Sequence, residues 1–519
     1  MKHLLWSVLF LLLGDGLLAH ATTYMTMNTA VEYKITNVNS GLVLGVSNMS
    51  YTAGTAVVQW ADNGTTDHLW HFIPMGNNEY NIENMYTHEV LGVSNASTAN
   101  GGAAVQWSDN GTADHLWYII KASDGNYYIK NVNSGLYLEA YNADTTDTAT
   151  IDQWALTGCT CQEWKFTNTG TTPYPTPRTV SDTGIYVHDP FMMQDPSTHY
   201  YWLYGSHQTI AYSTDLTSFT YTTTSSKYGA CTAAQGGYWI TDDSHCPIIG
   251  PDFTSWDGLQ TPPSANSGED VDVWAPSLLY ANSKYYQYYS IPYEPSTGAE
   301  AVIGLATATT PYGPWTDKGY LVASWTDTTS SVPSTNNWGF TAGTTYNAID
   351  PAPFTDASGN WWMAFGSWQD GTHMVQLNAS TGARLNTTMY KLAYRAAGEE
   401  GPFIYYYGGY YYYFAPINVC CEGTSSTYRT IVGRSTTVTG PYYDRGGIAL
   451  TAGGGTILVS THGNVIGPGG GSVFTDTGTS GTSSLPTFVY HYYDGNNSGT
   501  PTLGINRIGF DSAGWPYLE

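Results

Sequence analysis

The stretch Gly398–Pro416, GEEGPFIYYYGGYYYYFAP, sets two aromatic runs on either side of a diglycine and puts two carboxylates just ahead of a Gly-Pro. Tyr and Phe favour pleated strands, and Gly408-Gly409 supplies the positive-φ residues of a two-residue hairpin loop. The sequence therefore predicts two antiparallel strands with Glu399 and Glu400 at the mouth of the first. A carboxyl group walled by aromatics there, with no base nearby, loses the hydration that favours its charged form. Its pKa rises, and it holds the proton that a general acid must carry. Acids precede proline in the same way in Val187-His188-Asp189-Pro190, in Asn347-Ala348-Ile349-Asp350-Pro351 and in Gln194-Asp195-Pro196. A lone Asp before Pro is ordinarily a turn residue, so the reading depends on whether Asp189 and Asp350 converge with Glu400.

Around that stretch, strand-like runs such as HYYWLYGS, KYYQYYSI, NWWMAFGS and TFVYHYYD recur between turn-rich loops, with no convincing amphipathic helix. Five such modules open near His188, Trp274, Asn347, Glu400 and Gly467. Radial repetition protects that many strand edges, so residues 184–519 are predicted to form a five-bladed β-propeller domain. Its blade openings meet around one axis although they are far apart in sequence.

Upstream, Gln59-Trp60, Gln106-Trp107 and Gln153-Trp154 repeat at a fixed interval, as do Trp70, Trp117 and Trp164. The strand openings YKITNVNSGLVLGV at Tyr33, YNIENMYTHEVLGV at Tyr80 and YYIKNVNSGLYLEA at Tyr127 agree. Three short all-β units that each bury too little alone imply a closed threefold arrangement, a β-trefoil over residues 22–168. The Pro- and Thr-rich run 169–183 reads as a stiff linker. Residues 1–21, with Lys2, the apolar run Leu4–Leu13 and Ala19-His20-Ala21, read as a secretory signal peptide too short to span a bilayer.

Composition agrees with export. The chain carries 16 Lys plus Arg against 41 Asp plus Glu, a formal charge of −25, which disfavours nucleic acid and other polyanions, and no membrane partner is expected. Only 11% of residues are charged, while Tyr numbers 44 and Trp 18, a composition suited to neutral sugars. Six cysteines allow 15 pairings in an oxidising compartment; Cys231–Cys246 is the expected bridge, with Cys159/Cys161 and the adjacent Cys420-Cys421 as disulfides or free thiols. Sequons stand at Asn48, Asn63, Asn95, Asn110, Asn378, Asn386 and Asn496.

The threefold Gln-Trp repeat resembles the ricin-type lectin domains. That resemblance implies sugar contacts just before the repeat tryptophans, at Asp67-His68 and Asp114-His115; the third repeat departs from the pattern, with Cys161-Gln162-Glu163 there. The later motifs VHDP (187–190), WAPS (274–277), NAIDP (347–351), FGSW (365–368), EGPFI (400–404) and the run 420–447, beginning CCEGTSSTY, resemble the family 43 glycoside hydrolases, and within them the endo-acting arabinanases. The resemblance implies a secreted inverting enzyme cleaving α-L-arabinofuranosyl links, the α-1,5 backbone of arabinan first, with plant cell-wall polysaccharide as partner. It puts the general base on Asp189, the pKa-modulating acid on Asp350, the general acid on Glu400, and substrate contacts on Trp274, Asn347, Ser367 and Trp368. Exo-acting arabinofuranosidase, xylosidase or galactosidase action is the alternative within the family, and a non-catalytic two-module glycan-binding protein the alternative outside it. No cofactor is implied for the chemistry. The histidine that in arabinanases follows Gly-Pro-Gly and holds a structural calcium is here Gly470, leaving His462, His491 and His207 to take its place.

Overall fold

The computed structural model describes residues 22–181, 185–206, 209–221, 273–292, 301–313, 315–324, 346–478 and 484–519. The expected signal peptide, the Cys231–Cys246 bridge and His207 lie outside them.

Twelve strands, β1 (Tyr33–Asn37) to β12 (Trp164–Asn168), form one closed β-trefoil sheet. The repeats interlock through their common spacing. Trp70, Trp117 and Trp164 are fully buried, and each indole N–H donates to the carbonyl 26 residues upstream, on Leu44, Leu91 and Leu138, at 3.0, 2.9 and 3.0 Å. The Gln side chains close the ring. Gln59 Nε2 donates to the Asp144 and Thr146 carbonyls, Gln106 to Ser50 and Thr52, and Gln153 to Ser97 and Ala99, so that every repeat clamps a loop of another. All three Gln are fully buried, whereas Trp60 beside the first is 37% exposed. Buried amides must be satisfied, and here the partner lies in another repeat, so one unit could not close alone.

Five antiparallel four-stranded sheets follow among the described residues: β13 (Phe191–Gln194) to β16 (Phe219–Tyr221), β17 (Trp274–Ala281) to β20 (Thr316–Ser324), β21 (Ala352–Thr355) to β24 (Tyr390–Ala393), β25 (Phe403–Tyr407) to β28 (Thr456–Val459), and β29 (Val465–Asp476) to β32 (Pro516–Leu518). These are the blades of a five-bladed propeller. Tyr186, ahead of the first blade, bridges to Thr502 in the last and so ties the ring near its ends. Gly408 and Gly409 make the predicted hairpin between β25 and β26 (Tyr410–Ile417), with φ of 58° and 89°. Cys159–Cys161 and Cys420–Cys421 are both disulfides.

The run after the trefoil does not hang free. Tyr174 is buried, its hydroxyl donates to Glu83 of the trefoil at 2.5 Å, and its ring lies 5.3 Å from that of His462 in the propeller. The two modules therefore pack against each other through this segment.

Candidate active site

Each blade has a residue in the left-handed region at or within its first strand: Asp189 (φ 50°), Ala275 (42°), Asp350 (58°) and Gly401 (53°) at the strand's start, and Gly470 (59°) inside β29. The first four stand immediately before Pro190, Pro276, Pro351 and Pro402. Proline already restricts its predecessor, and positive φ in Asp or Ala costs about 1–3 kcal/mol, so neighbours must hold the conformation. They do so by one recurring device. The backbone N–H of the left-handed residue donates to a side chain at the end of the preceding blade's second strand. Ala275 N–H reaches Ser206 Oγ (2.8 Å), beside β14 (Tyr201–Gly205); Asp350 N–H reaches Ser290 Oγ (2.9 Å) in β18 (Lys284–Pro292); and Asp189 N–H reaches His491 Nδ1 (3.2 Å) in β30 (Leu485–Asp494).

This collar turns Asp189, Asp350 and Glu400 into one pocket of about 420 Å³, walled also by His188, Trp274, Ser277, Tyr428, Tyr493 and the Cys420–Cys421 disulfide. Ser206 Oγ, fixed by Ala275, donates to Asp189 Oδ2 at 2.5 Å. Gly401 N–H donates to Asp350 Oδ2 at 3.1 Å. Glu400 accepts from Tyr428 Oη at 2.5 Å and from Ser367 Oγ at 2.9 Å. Burial, reinforced by the Asp189 charge, raises the Glu400 pKa, although the Tyr428 and Ser367 hydroxyls favour its anion and oppose the rise. Asp350 is pushed well above the carboxylate range by burial first, then by Glu400 and Asp189. The pocket thus combines a serine-held carboxylate with two acids whose surroundings favour the protonated form, the division that acid/base hydrolysis requires.

The expected substrate contacts separate. Trp274 lines the pocket. Trp368 is 38% exposed, its ring packed over Gly398 beside the Glu399–Glu400 turn. Ser367 is buried and bonded to Glu400, which makes it a support for that acid rather than a free sugar contact. Asn347 is buried and stands outside the pocket walls. Tyr428 and Ser206 are additions, and His491, expected only as a stand-in metal ligand, holds the Asp189 N–H. Tyr428 lies within the CCEGTSSTY motif, but nothing in the sequence says that its hydroxyl reaches Glu400.

The lectin-type residues differ from expectation. Asp67, His68, Asp114 and His115 are all buried. The His68 and His115 rings fill the space over Gly45 and Gly92, where an added Cβ would lie 2.5 and 2.3 Å from their Cδ2 atoms. In the third repeat Glu139 replaces that glycine and accepts from Gln162 Nε2 at 2.8 Å. These side chains pack against the neighbouring strand of their own repeat.

Gly470 also has a structural reason. A Cβ there would lie 2.8 Å from both His491 Cε1 and Asp189 Oδ1, so the His491 ring occupies the volume that a side chain at 470 would need. His491 is fully buried, its pKa held well below the usual imidazole value by burial and by neighbouring His188. Among the described residues its Nε2 has no hydrogen-bond partner, and donor atoms of His188, Asp189 and His491 lie within 4.8 Å of one another. Calcium takes six to eight oxygen ligands, and two imidazoles with one carboxylate do not fit it. His462 is elsewhere, its Nδ1 against the Ser460 carbonyl.

A propeller that brings three carboxyl groups from separate blades into one pocket has the constellation of a glycoside hydrolase. Residues 249–516 match the model of glycosyl hydrolases family 43, and the chain belongs to that family. Residues 24–107 and 113–176 match the ricin-type beta-trefoil lectin domain-like model. The chain is 37% identical over 248 residues to extracellular endo-alpha-(1->5)-L-arabinanase 1 of Bacillus subtilis, covering 47% of this chain and 68% of that protein. It is 32% identical over 346 residues to a probable arabinan endo-1,5-alpha-L-arabinosidase A of Aspergillus fumigatus, covering 64% and 90%. Among solved structures, the GH43 endo-arabinanase from Bacillus licheniformis superposes with a TM-score of 0.50 at 28% identity, over 65% of this chain and 99% of that one.

Proposed function

We propose that the chain is an extracellular endo-arabinanase that hydrolyses α-1,5-linked arabinan by a single displacement with inversion. The observation that carries the reading is the convergence of Asp189, Asp350 and Glu400 in one pocket, with a different set of hydrogen-bond donors on each. Support for the substrate comes from relatives named as arabinanases, one of them extracellular. Among the described residues no helix is long and apolar enough to cross a membrane.

In this mechanism Asp189 takes a proton from water as its oxygen attacks the anomeric carbon. Glu400 gives its proton to the departing glycosidic oxygen, and water adds across the cleaved bond. Ser206 fixes the base, while Tyr428 and Ser367 aim the acid and stabilise the carboxylate it leaves. Asp350, keeping its proton beside them, limits the negative charge of the pocket. No step calls on a metal.

Inversion makes the first-formed sugar the β-anomer from an α-linked substrate. Proton NMR during the first minutes of arabino-oligosaccharide hydrolysis is expected to show it before mutarotation. An initial α product would mean direct attack by Asp189 and would sink the mechanism. On linear arabinan, internal cleavage is expected to give mixed oligosaccharides at early times; release of a single product from the outset would make the enzyme exo-acting.

We further propose that the trefoil docks on wall polysaccharide through exposed aromatics, Trp60 and Tyr141, which is 46% exposed. Trp60→Ala with Tyr141→Ala should leave turnover of soluble oligosaccharide unchanged and release the protein from insoluble arabinan. Undiminished pelleting with the polymer would refute docking at those residues.

A further inference from the structure

The trefoil loop Asp109–Gly111 packs directly on the segment that leads into Glu400. An added Cβ on Gly111 would lie 2.2 Å from that of Ala397. Asp109 Oδ1 pairs with Arg395 Nη2 at 2.8 Å, and its Oδ2 pairs with Arg429 Nη2, all three residues buried. Burial alone would raise the Asp109 pKa, but the two guanidiniums hold it well below the carboxylate range, so it is an anion. Arg429 donates also to Asn81 Oδ1 of the trefoil at 2.8 Å. Both cations belong to the framework of the acid. The Arg395 carbonyl accepts from Gly398 N–H at 3.2 Å, two residues before Glu400, and Glu399 fixes Trp368 N–H at 2.7 Å. Arg429 follows Tyr428, whose hydroxyl holds Glu400.

Resting on the reading of Glu400 as the acid, we propose that Asp109 of the trefoil is a positioning residue for catalysis, clamping Arg395 and Arg429 so that the Glu399–Glu400 turn and Tyr428 hold their places. The module is then part of the acid's mounting and not a detachable tether. Two buried guanidiniums side by side repel each other, and the trefoil carboxylate is what keeps them together. Without it, Arg395 is free to turn to buried Glu399, whose carboxyl otherwise accepts from Tyr413 and carries a pKa raised to about 7 by burial against the opposing pull of Tyr413 and Arg395. That movement drags the neighbouring Glu400 and leaves it in a more positive field.

The test uses the full chain and soluble arabino-oligosaccharide, so that docking on polymer plays no part. The groups facing Glu400 are Asp189, Asp350, Tyr428, Tyr493, Ser367 and Trp368, and none is altered. Asp109→Asn is expected to lower kcat roughly 10- to 100-fold with little change in KM, as for a misplacement near 1 Å. It should also move the alkaline limb of kcat/KM to lower pH, because unneutralised cations favour ionised Glu400. Arg395→Met removes one cation and should move the same limb to higher pH, with the fold retained through the Asp109–Arg429 pair. General damage to the fold would not shift the limb in opposite directions. If Asp109→Asn fails to fold, Arg395→Met decides alone. An alkaline limb left in place by both variants, or by Arg395→Met alone in that case, overturns the proposal. Should Glu400→Gln keep the alkaline limb, the assignment of the acid fails instead, which separates the two ideas.

Discussion

Glu400→Gln is expected to cut hydrolysis of linear arabinan by about 10²–10⁴-fold, the usual contribution of a positioned general acid. The same variant should lose far less on an arabino-oligosaccharide bearing a nitrophenyl leaving group, since a phenolate that leaves unaided does not need the proton. Asp189→Asn should fall by a similar factor on both substrates, because water must be deprotonated in either case. The sign of the pH dependence follows from the raised Glu400 pKa. The protonated form is the active one, so activity is present below that pKa and disappears as pH rises through it. With Glu400→Gln on the activated substrate the alkaline limb should vanish. Equal losses on both substrates, or an alkaline limb that survives, would remove Glu400 from the role of acid. Tyr428 and Ser367 bond to the carboxyl oxygens of Glu400, and a Gln amide keeps an oxygen for one of them. The substitution is therefore chemically pointed and structurally mild.

How far such a site can be read from sequence depends on which contacts are periodic. The fixed spacing of Trp70, Trp117 and Trp164 made the threefold closure legible, and the buried indoles with their carbonyl partners 26 residues upstream are its physical form. Gly408-Gly409 between Tyr runs announced a hairpin, and a hairpin forms there. The turns at Asp189-Pro190 and Asp350-Pro351 were visible as well, and a left-handed residue held by the preceding blade is common to these two but not to Asp195-Pro196. Position alone did not reveal the burial of Asp67-His68 and Asp114-His115. Polar residues beside a repeat tryptophan looked like sugar contacts, but Gly45 and Gly92 leave holes that the two imidazoles fill from inside. A Gly on one strand and a His over twenty residues later form one packing unit that spacing cannot express. Long-range partners were equally hidden. Asp109 and Arg429 are 320 residues apart, and nothing local marks either as half of a clamp.

Gly470 offers the sharpest test of this kind of tertiary pairing. Gly470→Ala is expected to destabilise the propeller by about 2–5 kcal/mol, from overpacking against a fixed imidazole together with the cost of an L side chain at φ 59°. The added methyl would press on His491 Cε1 and on Asp189 Oδ1, each 2.8 Å away, so kcat should fall along with the denaturant midpoint. The remedy is written elsewhere in the collar. The first and second blades use Ser206 and Ser290 where the fifth uses His491 to receive the next blade's backbone N–H. His491→Ser keeps an acceptor for Asp189 N–H and clears the ring's volume. In that background Gly470→Ala should lose the imidazole clash and keep its left-handed term, about 1–2 kcal/mol, together with what remains of the contact with Asp189 Oδ1. A double-mutant cycle by denaturant unfolding should then show a coupling above about 1 kcal/mol between residues 470 and 491. Additive penalties, or a Gly470→Ala protein as stable as the parent, would mean that the imidazole yields easily. In that event the glycine would not be there to make room for it.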